Sequence, residues 1–313
     1  MNVVKMSSED YEGFTEDIEN LTSSIETLIT SIASIKGLGG NEVEVKKVSK
    51  AVENKDIWKH ILNKLNYKDE DEIIVTSEDI KSAKSSWKGK ESQFEPRLAA
   101  YQPFEEGRSE YLREKNLYIL PIKNGCYLIS KTKIYKSLEY NNSIETVNII
   151  KDSSSLILNI GNSESSLIDN LHYSKVFERV EFLNEPITHG SLLNGRHRCN
   201  FVTKLNNKKV TIESVQYEVD ACYESKNKIL IIEAKSLDKQ ITNFNIRQLY
   251  YPFREIYNKI QGKKEILCLF ILQIKAKIHI WKYTFDDIDN MLSINCKGYY
   301  KYIFSSESTP HSS

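Results

Sequence analysis

The stretch that most constrains this chain is 218–236, EVDACYESKNKILIIEAKS, two apolar runs joined by the polar tip ESKNK. Ile229–Ile232 is an aliphatic run of the kind found in a strand buried on both faces of a sheet. It closes on Glu233-Ala234-Lys235, and ionisable groups rarely stand in such a place without a reason. A tight turn on Lys226-Asn227 pairs the two runs antiparallel, with Asp220 opposite Glu233 and Glu218 opposite Lys235. Residues two apart on a strand share a face. The four charges therefore converge on one patch, and Val219, Ala221, Leu230, Ile232 and Ala234 turn the other way to a core. A slip of one residue would scatter the patch.

Like charges directly opposite each other destabilise a sheet. A divalent cation removes that penalty, and oxygen ligands of this kind suit Mg²⁺. An ammonium group beside the ion can hold or polarise a water molecule. Phosphodiester hydrolysis needs both parts: neutralised phosphate charge and an activated water. The competing reading is a solvated sheet face, where Lys–Glu pairs across strands are common. The aliphatic run that precedes Glu233 favours a site.

Asp220 followed by Glu233-Ala234-Lys235 at the end of an apolar strand resembles the PD-(D/E)XK nuclease motif, in the version found in bacterial type II restriction endonucleases. Val219 stands where the motif's name puts proline. RQLYYPFR at 247–254 resembles the helix that follows the motif, with Gln248 at the position of a glutamine near the catalytic centre. The resemblance spans about residues 165–285. The segment 57–130, with EPRLAAYQ, is similar to the N-terminal winged-helix-like part of some such proteins. What the resemblance implies is an α+β, mixed α/β protein with a restriction-endonuclease-like core, a mixed central sheet flanked by helices. It implies a sequence-specific, Mg²⁺-dependent double-stranded DNA endonuclease that leaves 5′-phosphate and 3′-hydroxyl ends. Asp220 and Glu233, with the Ala234 carbonyl, would bind the metal, and Lys235 would position the attacking water. Glu218 would be a supporting acid, and Glu178 would be the acid that an upstream helix supplies. A homodimer and a cognate DNA methyltransferase as genetic partner belong to the same expectation. Two alternatives remain: a repair, recombination or other defence nuclease of the same fold, and a DNA-binding regulator with a vestigial nuclease core.

The expected organisation has four parts. An N-terminal amphipathic helix and linker occupy 1–50, a winged-helix-like module 51–150, the nuclease core 151–304 and a disordered tail 305–313. The N-terminal helix carries a heptad-spaced apolar stripe from Tyr11 to Ile35, fit either for dimerisation or for packing on its own chain. In the second part, Thr76 caps a helix that begins SEDIKSAK, and Asn124-Gly125 suits a type I′ hairpin turn. Arg97 and several lysines make this region locally basic, as a DNA contact or as a solvated surface. A helix is expected over 165–182, a turn-like basic stretch around Arg196 and Arg198, strands at 208–222, 228–235, 265–274 and 277–285, and a helix at 243–260. Arg196 and Arg198 are DNA-contact candidates, since arginine serves both backbone and guanine edges.

Formal net charge is zero, so a DNA-binding surface must be a local patch rather than a property of the whole molecule. Five cysteines without CxxC spacing indicate neither a zinc ribbon nor a disulfide framework. Signal-peptide and membrane-span patterns are not found, and the expected location is cytoplasmic. No Gly-rich phosphate loop is present, so ATP use is not expected.

Overall fold

The chain divides into two units, 1–51 and 52–313. The computed structural model describes residues 57–305 except 71, 90–93, 152–162 and 194, all within the second unit. The expected N-terminal helix, its linker and most of the C-terminal tail lie outside the described residues.

Helix α1, Ile57–Lys64, buries Ile57, Trp58, Ile61 and Leu62, a stripe at helical spacing. Strand β1, Glu72–Val75, follows. Helix α2, Ser77–Ser85, starts in a capping box: the Thr76 hydroxyl accepts from Asp79 N–H at 3.2 Å, and the Asp79 carboxylate accepts from Thr76 N–H at 2.8 Å. Two of the free donors at the helix start are thereby satisfied. Thr76→Ala is expected to cost about 1 kcal/mol in denaturant unfolding, with Thr76→Ser losing less; an unchanged midpoint in the alanine variant would show that the box adds nothing. Short helices α3, Pro96–Ala100, and α4, Glu110–Glu114, lead to the hairpin of β2, Tyr118–Lys123, and β3, Cys126–Ser130. Its turn is not type I′. Only Gly125 has a positive φ, 71°, and the register shifts between Pro121 and Lys123. Proline has no N–H for the ladder, so an irregularity falls beside it.

The C-terminal part is a mixed α+β structure. Strands β4, Tyr135–Ser137, and β5, Thr146–Ile150, precede helix α5, Glu164–Tyr173. The strands that follow are β6, Ile187–His189; β7, Arg196–Leu205; β8, Lys208–Glu218; β9, Ala221–Ser225; and β10, Lys228–Leu237. Then come β11, Asn243–Asn245; α6, Arg247–Ile260; β12, Glu265–Ile274; β13, Lys277–Phe285; and β14, Ile294–Ser305. One sheet has seven strands in the order β5-β14-β13-β12-β10-β9-β6, a second five in the order β1-β3-β2-β8-β7, and β4 pairs with β11 alone. Strands β4 and β5 lie within the segment 51–150 expected to form the first module, yet they pair with β11 and β14.

Strand β10 is buried on both faces. Ile229 and Ile231 pack with Cys222, Cys268 and Phe270, whereas Leu230, Ile232 and Ala234 pack with Leu267, Leu269 and Ile271. Each such aliphatic side chain contributes on the order of 2 kcal/mol. Helix α5 covers the second face through Leu167, Ile168 and Leu171. Strands β10 and β12 run parallel, so a crossover must join them, and α6 forms most of it. This helix packs on β10 and β12 of one sheet and on β7 and β8 of the other. That double contact explains why Leu249, Tyr250, Tyr251, Phe253 and Ile256 are all buried.

Three further sequence expectations are corrected. The helix expected over 165–182 ends at Tyr173, and Lys175 takes a left-handed φ of 59°. Val176, Phe177, Phe182 and Leu183 are nevertheless all buried, so the apolar pattern gives no sign of the break. The basic stretch at Arg196 is the start of strand β7 rather than a turn. The strand expected over 208–222 is two strands: β8 ends at Glu218 in the five-stranded sheet, and β9 starts at Ala221 in the seven-stranded one.

Candidate active site at the junction of two sheets

Val219 and Asp220 are the two residues that carry the chain from one sheet to the other. Strands β9 and β10 pair in the expected register, Glu224 with Ile229 through Ala221 with Ile232, and the pairing stops there. Beyond it the Asp220 side chain takes over from the missing strand: its Oδ2 accepts the Ala234 N–H at 2.8 Å. Asp220 is thus fixed against the end of β10 by a charge-assisted hydrogen bond.

Lys235 gathers the other groups. Its Nζ lies 2.9 Å from Glu233 Oε1, 3.7 Å from Asp220 Oδ2 and 3.5 Å from Glu164 Oε2. It also donates to the Ala234 carbonyl at 2.8 Å. Glu233 is 7% exposed. Gln248, in the first turn of α6, donates through Nε2 to Glu233 Oε1, while its own Oε1 is buried without a partner among the described residues. Burial pushes the Glu233 carboxyl up to about 7; Lys235 pulls it down, and Asp220 and Glu164 add to the rise. Burial works to lower the Lys235 pKa, but Glu233, Asp220 and Glu164 outweigh it and hold the ammonium above its ordinary value. Three carboxylates thus face one cation, with Glu233 and Lys235 largely buried and Asp220 and Glu164 partly exposed, an arrangement short of positive charge.

The structure brings together Asp220, Glu233, Ala234, Lys235 and Gln248. It does not set Glu218 against Lys235 as expected, although Glu218 lines the cleft wall. Because β8 leaves for the other sheet, Glu218 pairs across its ladder with Arg196, not Lys235, and their side chains form an exposed ion pair at 2.8 Å. Glu178 is also elsewhere: it pairs with Lys175 at 3.2 Å and accepts from Ile187 N–H at 3.3 Å. The upstream acid at Lys235 is Glu164, the first residue of α5, behind the Ser163 cap. The stretch Ser163-Glu164-Ser165-Ser166 carries a helix-start signal, which was the available pointer to it. Arg97 and Arg196 line the cleft above the site. Arg198 does not; it is exposed and donates to the Ser214 hydroxyl at 3.0 Å. Arg247 and Tyr101 also line the cleft, and the sequence reading passed over both.

The cleft has a volume of about 480 Å³. Its floor holds Glu164, Asp220, Glu233, Lys235 and Gln248. One wall comes from α3 and the β2–β3 tip, the other from β7 and β8. Among the described residues no group of three or more His, Cys, Asp or Glu side chains is arranged to hold a metal ion; the Lys235 ammonium lies where the three carboxylates face each other. No described helix is long and apolar enough to cross a membrane.

Residues 130–303 match the family model for a domain of unknown function, DUF6997, and residues 55–129 match that for a second, DUF6996. The first match covers more than half of the chain, and the protein belongs to the DUF6997 family. No curated protein and no solved structure matches the chain.

Proposed function

We propose that the protein is a Mg²⁺-dependent, sequence-specific endonuclease of double-stranded DNA, with a restriction-endonuclease-like core behind a winged-helix-like module. One observation carries the reading: the Lys235 ammonium lies within 3.7 Å of Glu233, Asp220 and Glu164 at the end of a buried strand that opens into a cleft. A cluster this costly to bury is what a functional site, rather than a fold, requires.

The donors suit a hard divalent cation. Asp220 and Glu233 offer carboxylate oxygens and Ala234 a carbonyl, and the excess of acid over base leaves negative charge to neutralise. Mg²⁺ takes one or two protein carboxylates and keeps water in its other positions, so two carboxylates and a carbonyl fit it. When bound, Mg²⁺ supplies charge neutralisation on the phosphate and acidifies a bound water. Lys235 is held protonated, so it acts as a donor that orients the attacking water and the phosphate oxygens rather than as a base. Gln248 holds Glu233 by hydrogen bond and keeps its carboxylate turned to the cleft. Attack by water on phosphorus breaks the bond to the 3′ oxygen and leaves 5′-phosphate and 3′-hydroxyl ends. A homodimer would serve cleavage of both strands, and a DNA methyltransferase encoded nearby would protect the host.

The test is a digest of phage DNA with Mg²⁺. Wild type is expected to give discrete bands and Asp220→Ala to give none. Intact DNA from wild type over many substrates would overturn the reading, and smears in place of bands would remove sequence specificity from it.

A further inference from the structure

Four cations line the cleft wall and rim: Arg97, Lys123, Arg196 and Arg247. Two are already neutralised, Lys123 by Glu213 at 3.0 Å and Arg196 by Glu218 at 2.8 Å. Arg97 and Arg247 have no carboxylate partner among the described residues. Arg97 is exposed on α3. Arg247 opens α6, and its Nε is buried with no hydrogen-bond partner. Its guanidinium lies 5.9 Å from the Tyr251 ring centroid, a contact that leaves its donors unused. The two arginines come from different parts of the chain and line the same cleft, together with Tyr127. Beside Arg97, the Leu98 and Tyr101 side chains are 65% and 58% exposed on the same wall.

A guanidinium pair with unused donors beside an acidic floor is suited to an anion that spans the two. An exposed tyrosine next to it offers a face on which any base can stack. We propose that Arg97 and Arg247 form a subsite for the backbone phosphate adjacent to the scissile one, with Tyr101 as the stacking surface for the base attached to it. The proposal rests on the nuclease reading, and it assigns the grip on the strand to the wall while the chemistry stays on the floor.

The test is the binding of a fluorescein-labelled DNA oligonucleotide in EDTA, where no cleavage can occur, followed by anisotropy over a range of salt concentrations. Arg97→Ala and Arg247→Ala are each expected to weaken binding about tenfold and to lower the slope of log affinity on log salt by about 1. Tyr101→Ala is expected to weaken binding by about tenfold with the slope unchanged, and Tyr101→Phe to retain it. Lys277→Ala, the same charge change at the exposed first residue of β13 and outside the cleft lining, is the control and leaves both quantities alone. Arg97 is exposed, so its variant reports on binding even if Arg247→Ala loses stability. Wild-type affinity and slope in both arginine variants, from a protein that cuts DNA, would overturn the subsite and leave the nuclease reading standing. Loss of binding in both, from a protein that cuts nothing, would do the reverse.

Discussion

Lys235→Met is expected to lower the proposed Mg²⁺-dependent cleavage by about a thousandfold or more while the protein stays folded. Methionine keeps most of the stem and packs in the same space, so what is lost is the ammonium. Three carboxylates then face each other without a cation, and breaking a buried pair commonly costs about 3–5 kcal/mol. Glu233 provides a way around that cost. Its carboxyl is already pushed up to about 7, and without Lys235 its pKa rises further, so it takes up a proton instead of standing charged. The variant is therefore expected to fold near neutral pH with a lowered midpoint, and single-turnover assays at saturating DNA read the chemistry apart from binding. Lys235→Arg keeps the charge but exchanges a compact ammonium for a planar fork, and it is expected to recover little. Cleavage by Lys235→Met within tenfold of wild type would mean that the cluster is not the centre of the reaction.

Glu233→Gln is expected to stabilise the metal-free protein above neutral pH. The Glu233 carboxyl is held at about 7 in the folded protein against an ordinary 4.5. As pH rises from 4.5 to 7, the unfolded chain gives up this proton while the folded protein keeps it, so stability falls through that window and the full cost remains above it. The size is on the order of 3 kcal/mol. His172 and His279, whose pKa values burial lowers, gain stability as pH rises and oppose the trend. The quantity to measure is therefore the difference between wild type and Glu233→Gln in EDTA. That difference should grow from about pH 4 to about pH 8, a range chosen to bracket the window. Added Mg²⁺ is expected to raise the wild-type midpoint at pH 8 and to leave Glu233→Gln nearly unmoved. A flat difference curve would mean that the Glu233 carboxyl is not held in its neutral form.

The sequence made some of this arrangement legible and hid the rest for identifiable reasons. The β9–β10 register was legible because the tip length and the alternation of side chains allow only one pairing that buries both apolar sets. Gln248 was legible through the resemblance of RQLYYPFR to the helix that follows the nuclease motif, and it does meet Glu233. The switch between sheets at Val219–Asp220 was not, because β8 and β9 alternate like one strand and only tertiary pairing separates them. That switch is what moved Glu218 away from Lys235. Glu164 was hidden in a different way: its meeting with Lys235 joins positions 71 residues apart in sequence, and no local pattern records such a distance. Strands β5 and β14 escaped for the same reason, being parallel neighbours from distant parts of the chain.

The cleft has one bank in the segment matched by DUF6996 and its floor and other bank in the segment matched by DUF6997. Strand β2 meets β8 across this divide at the single pair Lys123–Glu213, and the Tyr251 hydroxyl donates to the Pro121 carbonyl at 2.8 Å. A gene that kept the second segment and lost the first would encode the acids without the bank opposite them. Selection acting on the cleft therefore acts on both segments at once, and they are expected to descend together, in the same order and separated by few residues.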